Sequence, residues 1–129
     1  MTYIDLESAA ALTGLSRRTL WRRIADGSLT ATQGRSRSGQ DKKLVLLADV
    51  LDLSPLRFSD DDLALIAAAD QSQADAQCEL ALMTQAQGYP QEGIYWLEQA
   101  AQQFYPEAMY WLGRAYLAAH GVPYDHIQG

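Results

Sequence analysis

The sequence predicts a mainly α-helical protein in two regions. Residues 1–55 read as two short helices followed by a small β-hairpin, and residues 56–129 read as stacked pairs of short helices. Apolar spacing predicts the elements, an internal repeat marks the second region, and the charge changes sign along the chain. Residues 1–57 contain nine Lys and Arg against six Asp and Glu, whereas residues 58–129 contain one against ten. The basic part is suited to nucleic-acid phosphates, which repel the acidic part.

The first region begins with a predicted helix from Asp5 to Leu12, which Asp5 or Ser8 can cap. Gly14 can adopt the left-handed backbone of a tight turn between helices. Because Ser16 can cap a helix that starts directly after it, a second helix is predicted from Arg17 to Ala25. Its buried stripe is expected to consist of Leu20 and Ile24.

A hairpin is predicted after the second helix. Strands at Leu29–Gln33 and Leu44–Leu47 flank the polar, glycine-rich segment 34–43. A short helix from Ala48 to Leu53 then closes the region, and Ser54-Pro55 ends it. Two helices with an adjacent hairpin are typical of a winged helix-turn-helix.

Four strings carry a family resemblance: Tyr3-Ile4-Asp5-Leu6-Glu7-Ser8-Ala9-Ala10, Thr13-Gly14-Leu15-Ser16-Arg17-Arg18-Thr19-Leu20-Trp21-Arg22-Arg23, Gly27-Ser28-Leu29 and Leu47-Ala48-Asp49-Val50-Leu51. They resemble the excisionase and MerR-type winged-helix family. The resemblance implies a recognition helix that begins at Ser16, with an aromatic residue at Trp21. The longer wing tip departs from the shortest family members, and no effector-sensing cysteine set is present after it, so metal or redox sensing is unsupported.

The basic side chains of this region are the candidate DNA contacts. Arg17, Arg18 and Thr19, behind Ser16, are expected to meet base edges, since the first turn of a recognition helix enters the major groove. The phosphate candidates are Arg22, Arg23, Lys42 and Lys43, with Arg35 and Arg37 at the wing tip. For Trp21 two interpretations stay open: a ring against the sugar-phosphate backbone, or a plain core or inter-helix aromatic.

The second region contains a repeat of 32 residues. At this shift Ala68-Ala69 falls on Ala100-Ala101, Asp75-Ala76 on Glu107-Ala108 and Leu80 on Leu112. Such a period is typical of an α/α solenoid, in which each helix pair buries its apolar face against the next. The predicted helices are Asp60–Asp70, Ala74–Ala86, Gln91–Gln103 and Pro106–Ala119.

The repeated alanines, the Trp111-Leu112-Gly113-Arg114-Ala115-Tyr116 string and Gly121-Val122-Pro123-Tyr124-Asp125 resemble Sel-one-like repeats, which are related to tetratricopeptide repeats. The resemblance implies a protein-binding scaffold. After Asp125 the family pattern calls for another helix, so the last repeat is expected to be incomplete or the sequence to be a fragment.

Aromatic residues are dense in this region. Most are expected in the core, but the surplus suits a partner surface. Tyr110, Trp111 and Tyr116 are the candidate contacts, either with a second copy in a homodimer or with an unidentified protein.

No enzyme, cofactor or metal site is expected. His120 and His126 lack a supporting acid or cysteine cluster and are interpreted as loop residues, and the single Cys78 as a small buried hydrophobe. There is no apolar run of 18 residues and no signal peptide at the start, which predicts a cytoplasmic protein with no membrane partner.

These observations predict a sequence-specific DNA-binding protein, a bacterial transcriptional regulator whose acidic repeats serve dimerisation or partner docking. Two alternatives stay open. One is a protein-protein adaptor scaffold, which the arginine-rich helix argues against. The other is an excisionase-like architectural factor, in which the acidic repeats have no evident use.

Overall fold

The computed structural model describes residues 1–35 and 41–119, and the side chains as far as Leu117. Within these residues the protein is mainly helical, with seven α-helices and one three-stranded antiparallel sheet. It forms two compact units, Met1–Leu63 and a second that begins at Ala64. The sequence places the boundary earlier, after Pro55.

The first unit begins with strand β1 (Tyr3–Asp5), followed by helices α1 (Leu6–Thr13) and α2 (Arg17–Ala25). The Asp5 side chain caps α1 by accepting a hydrogen bond from the Ser8 amide at 2.8 Å. Gly14 ends α1 with φ of 74°, as the tight turn requires. The predicted bounds of α2 are confirmed, whereas β1 is too short to show an alternating pattern and is absent from the sequence-based prediction.

The sheet contains β2 (Ala31–Arg35) and β3 (Asp41–Leu46), with β3 in the centre and β1 and β2 on either side. Ile4 and Ala31 both pair with Val45. The predicted hairpin is therefore confirmed, but both of its strands are shifted relative to the predicted ranges, and it lies in a larger sheet.

Helix α3 (Leu47–Leu53) comes directly after β3 and packs against α1. The Ser54 hydroxyl donates a hydrogen bond to the Leu12 carbonyl, which fastens the end of α3 to α1. The largest fully buried side chains in this unit are Ile4, Leu12, Leu20, Leu29, Val45 and Val50. Of the predicted stripe on α2, Leu20 is buried and Ile24 is half-buried.

The remaining helices are α4 (Asp62–Asp70), α5 (Ala74–Ala86), α6 (Pro90–Ala101) and α7 (Pro106–Ala119). Helix α5 packs against α6, and α6 packs against α7. Trp96 and Leu97 of α6 lie in the core, with Ile66 and Leu80 among the other buried residues. The predicted bounds of α5 and α7 are confirmed, while α4 and α6 are shorter than predicted.

The 32-residue period is visible in the backbone. Ser72 and Phe104, which are 32 residues apart, are the two non-glycine residues with positive φ in the described part of the chain, at 68° and 62°. The amide after each one donates to an alanine carbonyl, Gln73 to Ala68 at 3.1 Å and Tyr105 to Ala100 at 3.3 Å. Thus α4 and α6 end in the same kind of turn.

Cys78 lies on α5 with 2% of its surface exposed, as expected for a small buried hydrophobe. Burial, and secondarily the negative charge of Glu107, raise the pKa of its thiol. Cys78 therefore stays protonated and poorly nucleophilic at neutral pH.

Candidate nucleic-acid interface

Helix α2 has one buried face and one open face. Leu20 is fully buried. Since an α-helix has about 3.6 residues per turn, Arg18 and Arg22 lie opposite Leu20, and Trp21 lies on the flank, about 100° from Leu20. All three are exposed. The open face thus presents two guanidinium groups and one indole ring.

The start of α2 is fixed by its cap. The Ser16 hydroxyl oxygen accepts a hydrogen bond from the Thr19 amide at 3.1 Å, and the two side-chain hydroxyls are 3.0 Å apart. The structure therefore places Ser16 and Thr19, both predicted to contact DNA, in the cap. Thr19, on the flank of α2 opposite Trp21, is half-buried, whereas Trp21 is exposed.

Arg17 projects towards α1. Its Nη1 donates to Oε1 of Glu7, and the two side chains are 60% and 50% exposed. This ion pair joins the first residue of α2 to the first turn of α1. Sequence reasoning did not identify Glu7, since nothing in the sequence indicates which basic residue meets an acid ten positions away.

The hairpin brings two lysines to the same side of the unit. Lys42 Nζ lies 3.2 Å from Oδ2 of Asp5, whose Oδ1 caps α1. Lys43 Nζ lies 5.9 Å from the centre of the Trp21 ring, a cation–π arrangement. With 44% of its surface exposed, Trp21 is a surface aromatic and not part of the core.

The other predicted phosphate contacts are more scattered. Arg35, at the end of β2, has its Nε 3.9 Å from Oδ1 of Asp41 on the facing strand, and both side chains are largely exposed. Arg23 is half-buried, and its carbonyl accepts a hydrogen bond from the Leu29 amide at 3.1 Å. Arg37 lies outside the described residues.

A groove of about 420 Å³ runs between the helices and the hairpin. Its lining includes three cationic and three acidic side chains, namely Arg17, Lys42, Lys43, Asp5, Glu7 and Asp41. Trp21 and Gln33 also line it. The groove is therefore electrostatically mixed, whereas Arg18 and Arg22 stand outside it.

Two carboxylates support the loop between α2 and the hairpin. Asp26 Oδ1 accepts from the Ser28 amide, and Asp49 Oδ2 accepts from the Thr30 amide, both at 2.8 Å. Hydrogen bonding to Ser28 and to Thr30 holds the pKa of Asp26 and of Asp49 below the usual value. These bonds fix where α2 ends and where β2 begins.

In the second unit, the predicted partner residues lie on α7. Tyr110 and Tyr116 are 50% and 43% exposed, and Trp111 is half-buried. Arg114 Nη1 donates to the Tyr110 hydroxyl at 3.0 Å, and its guanidinium lies 5.7 and 5.5 Å from the Tyr110 and Trp111 ring centres. Arg114 thus joins two of the three predicted residues, Tyr110 and Trp111, in one cluster.

Comparison of the chain with protein-family models, curated proteins and solved structures finds no match. Within residues 1–35 and 41–119 the structure contains no group of three or more His, Cys, Asp or Glu that could hold a metal ion. His120 and His126 lie outside those residues. No described helix is both long and apolar enough to cross a membrane.

Proposed function

We propose that this protein is a sequence-specific DNA-binding protein of the transcription-regulator type. In this proposal the first unit is a winged helix-turn-helix, with α2 as the recognition helix and the β2–β3 hairpin as the wing. The observation that carries the proposal is the open face of α2, where Arg18 and Arg22 are exposed and the adjacent Trp21 ring lies 5.9 Å from Nζ of Lys43 on the hairpin.

Each of these side chains has a use on duplex DNA. The major groove is about 12 Å wide and admits a helix, and arginine forms two hydrogen bonds to the O6 and N7 atoms of guanine. Arg18, one position into α2, is placed for such a base contact. Arg22, one turn later, and Lys43 on the hairpin are placed for the phosphates, and Trp21 between them for the sugar-phosphate backbone.

The test is fluorescence anisotropy of the full chain with a duplex selected from a random pool, at two salt concentrations. Arg22→Ala should weaken binding to all sequences alike and reduce the salt slope by about 1. Arg18→Ala should relax the preference at one or two base pairs, with a loss of about 1–3 kcal/mol at each.

Arg57→Ala is the matched control, because it removes one exposed positive charge of the same unit from the segment after α3, outside α2 and the hairpin. It should leave affinity and preference almost unchanged. Failure of the full chain to bind duplex DNA in a salt-sensitive manner, or equal effects of all three substitutions, would contradict the proposal.

We further propose that α4 to α7 form two Sel-one-like repeats that pair two copies of the protein. One winged helix contacts few base pairs, so two copies on adjacent half-sites give a useful specificity ratio. The exposed Tyr110 and Tyr116 on α7 support this assignment, since large aromatic side chains are enriched at interfaces.

Sedimentation of the full chain at about 10–50 μM, a range in which weak homodimers form, tests the pairing. Replacing both Tyr110 and Tyr116 by serine should convert a dimer to a monomer. Phe104→Ser, which removes an aromatic side chain that is 81% exposed outside α7, is the control and should leave the dimer intact. A wild-type chain that sediments as a monomer overturns this part of the proposal.

A further inference from the structure

The contact between Glu7 and Arg17 places a carboxylate beside the first turn of α2. Both side chains line the groove next to the hairpin and both remain at least half exposed. An exposed ion pair adds little to the stability of a fold, because solvent screens the charges and two flexible side chains lose freedom. Stability is therefore a weak reason for this arrangement.

The position of Arg17 indicates that the ion pair affects how Arg17 contacts DNA. Arg17 comes directly after the capping residue Ser16, so it stands at the end of α2 that enters a major groove in the proposed function. Glu7 engages one Nη1–H, whereas the guanidinium has five N–H donors and a bidentate contact with guanine uses two.

A carboxylate at this point has two effects on an arginine. It restricts the guanidinium before DNA arrives, which lowers the entropy cost of a directed contact. It also repels nearby phosphates and competes with them for the guanidinium, which weakens binding to unrelated sequences. Both effects favour a base contact over a phosphate contact.

We propose that Glu7 is a positioning residue for DNA specificity, which holds Arg17 so that it recognises a guanine at one position of the binding site. The inference rests on the proposed function and adds Glu7 of α1 to the surface that selects the sequence. Arg18 and Arg22, on the open face of α2, act without this acidic partner.

The experiment is selection of binding sites from a random duplex pool by the full-length protein, followed by sequencing. Arg17→Ala should abolish the preference for guanine at one position. The selectivity for guanine over the other bases there should fall by about 5- to 150-fold. Glu7→Gln should reduce the same preference at least about five-fold, raise affinity for unrelated duplexes and steepen the salt slope by about 1, because the freed Arg17 now meets a phosphate.

Two further variants test whether Glu7 acts through Arg17 and whether the effect is specific to that carboxylate. Adding Glu7→Gln to Arg17→Ala should change the base preference no further, since Glu7 acts through Arg17. Asp52→Asn removes one exposed carboxylate from α3 of the same unit and should leave the selected sequence unchanged.

The outcomes separate the two proposals. A wild-type protein that selects no duplex overturns the proposed function and this inference together. A wild-type protein that selects a defined sequence, with Glu7→Gln selecting the same sequence, leaves the proposed function intact and overturns the role of Glu7. A fall in melting temperature of Glu7→Gln without a change in base preference assigns the pair to structure alone and also overturns it.

Discussion

The two units begin their helices by different means. In the first, side chains cap the starts of α1 and α2, although not that of α3, and Asp26 and Asp49 hold the loop after α2. In the second, α5 and α6 have no side-chain cap, and α4 and α6 end in backbone turns at Ser72 and Phe104. Polar side chains thus fix the starts of α1 and α2 in the first unit, whereas α5 and α6 in the second begin without them.

Each unit should therefore be sensitive to a different kind of substitution. A carboxylate that accepts an amide hydrogen bond responds to protonation, whereas a close helix contact responds to added volume. Substitutions that change charge should therefore alter the stability of the first unit, and substitutions that change side-chain volume should alter the stability of the second.

Gly93→Ala in α6 should be the most destabilising of these substitutions. A Cβ at Gly93 would lie 2.7 Å from Cγ of Gln85 and 3.0 Å from the Ala81 carbonyl oxygen of α5. Since the backbone oxygen cannot move aside freely, we expect a loss of about 1–3 kcal/mol in the free energy of unfolding. Urea unfolding followed by circular dichroism measures it.

Gly113→Ala in α7 is the matched control, because a Cβ there meets nothing within 4 Å. Alanine favours a helix over glycine by about 0.5–1 kcal/mol, so this variant should be stabilised. Equal destabilisation by both substitutions would show that close packing does not distinguish the two positions.

Phe104→Gly should stabilise the second unit by about 1 kcal/mol. Phe104 has φ of 62° and is 81% exposed, so the substitution relieves left-handed strain and loses little buried surface. Thermal unfolding at low protein concentration checks this, with Ser72→Gly as the repeat-related partner. A lower melting temperature for Phe104→Gly would indicate that its ring packs against the unit.

Ser16→Ala should destabilise the first unit by about 1 kcal/mol, since it removes the cap of α2. Gln73→Ala, at the corresponding position before α5, should change stability by less, because Gln73 makes no side-chain cap bond. Urea midpoints of the two variants compare the two ways of starting a helix. A larger loss for Gln73→Ala would break the contrast between the units.

The weakest effect should be on the stability of the first unit at acidic pH. The pKa of Asp49 is lowered in the folded unit because its carboxylate accepts the Thr30 amide hydrogen bond. The stability that the ionised Asp49 contributes is complete above the unfolded pKa of about 3.9, and it is lost as the pH falls through the lower pKa of the folded state. Asp49→Asn should therefore flatten the loss of stability below about pH 4.

Asp52→Asn, on the same helix, is the control for this acid effect. Circular dichroism at a series of pH values compares the two variants with the unaltered chain. Identical acid unfolding of Asp49→Asn and of the unaltered chain would remove the bond to Thr30 as a source of pH dependence.

The sequence predicts the elements that depend on local contacts better than those that depend on contacts between distant residues. Helix α2 was predicted to the residue because Ser16 and Leu20 are local signals. Strand β1 has three residues and is held by backbone hydrogen bonds to β3. No local sequence pattern indicates this pairing. Within the candidate interface, the basic residues were evident, but Glu7 beside Arg17 and Asp5 beside Lys42 depend on contacts across the fold.

The central position of β3 has a consequence for the order in which a newly made chain folds. Tyr3 to Asp5 pair with residues synthesised roughly 40 positions later, so β1 cannot pair before β3 has been made. The groove that holds Glu7 and Arg17 is closed on one side by β3, and so it is completed only when the hairpin has left the ribosome. A nascent chain halted before Asp41 exposes the arginines of α2 without the strand that shapes the groove.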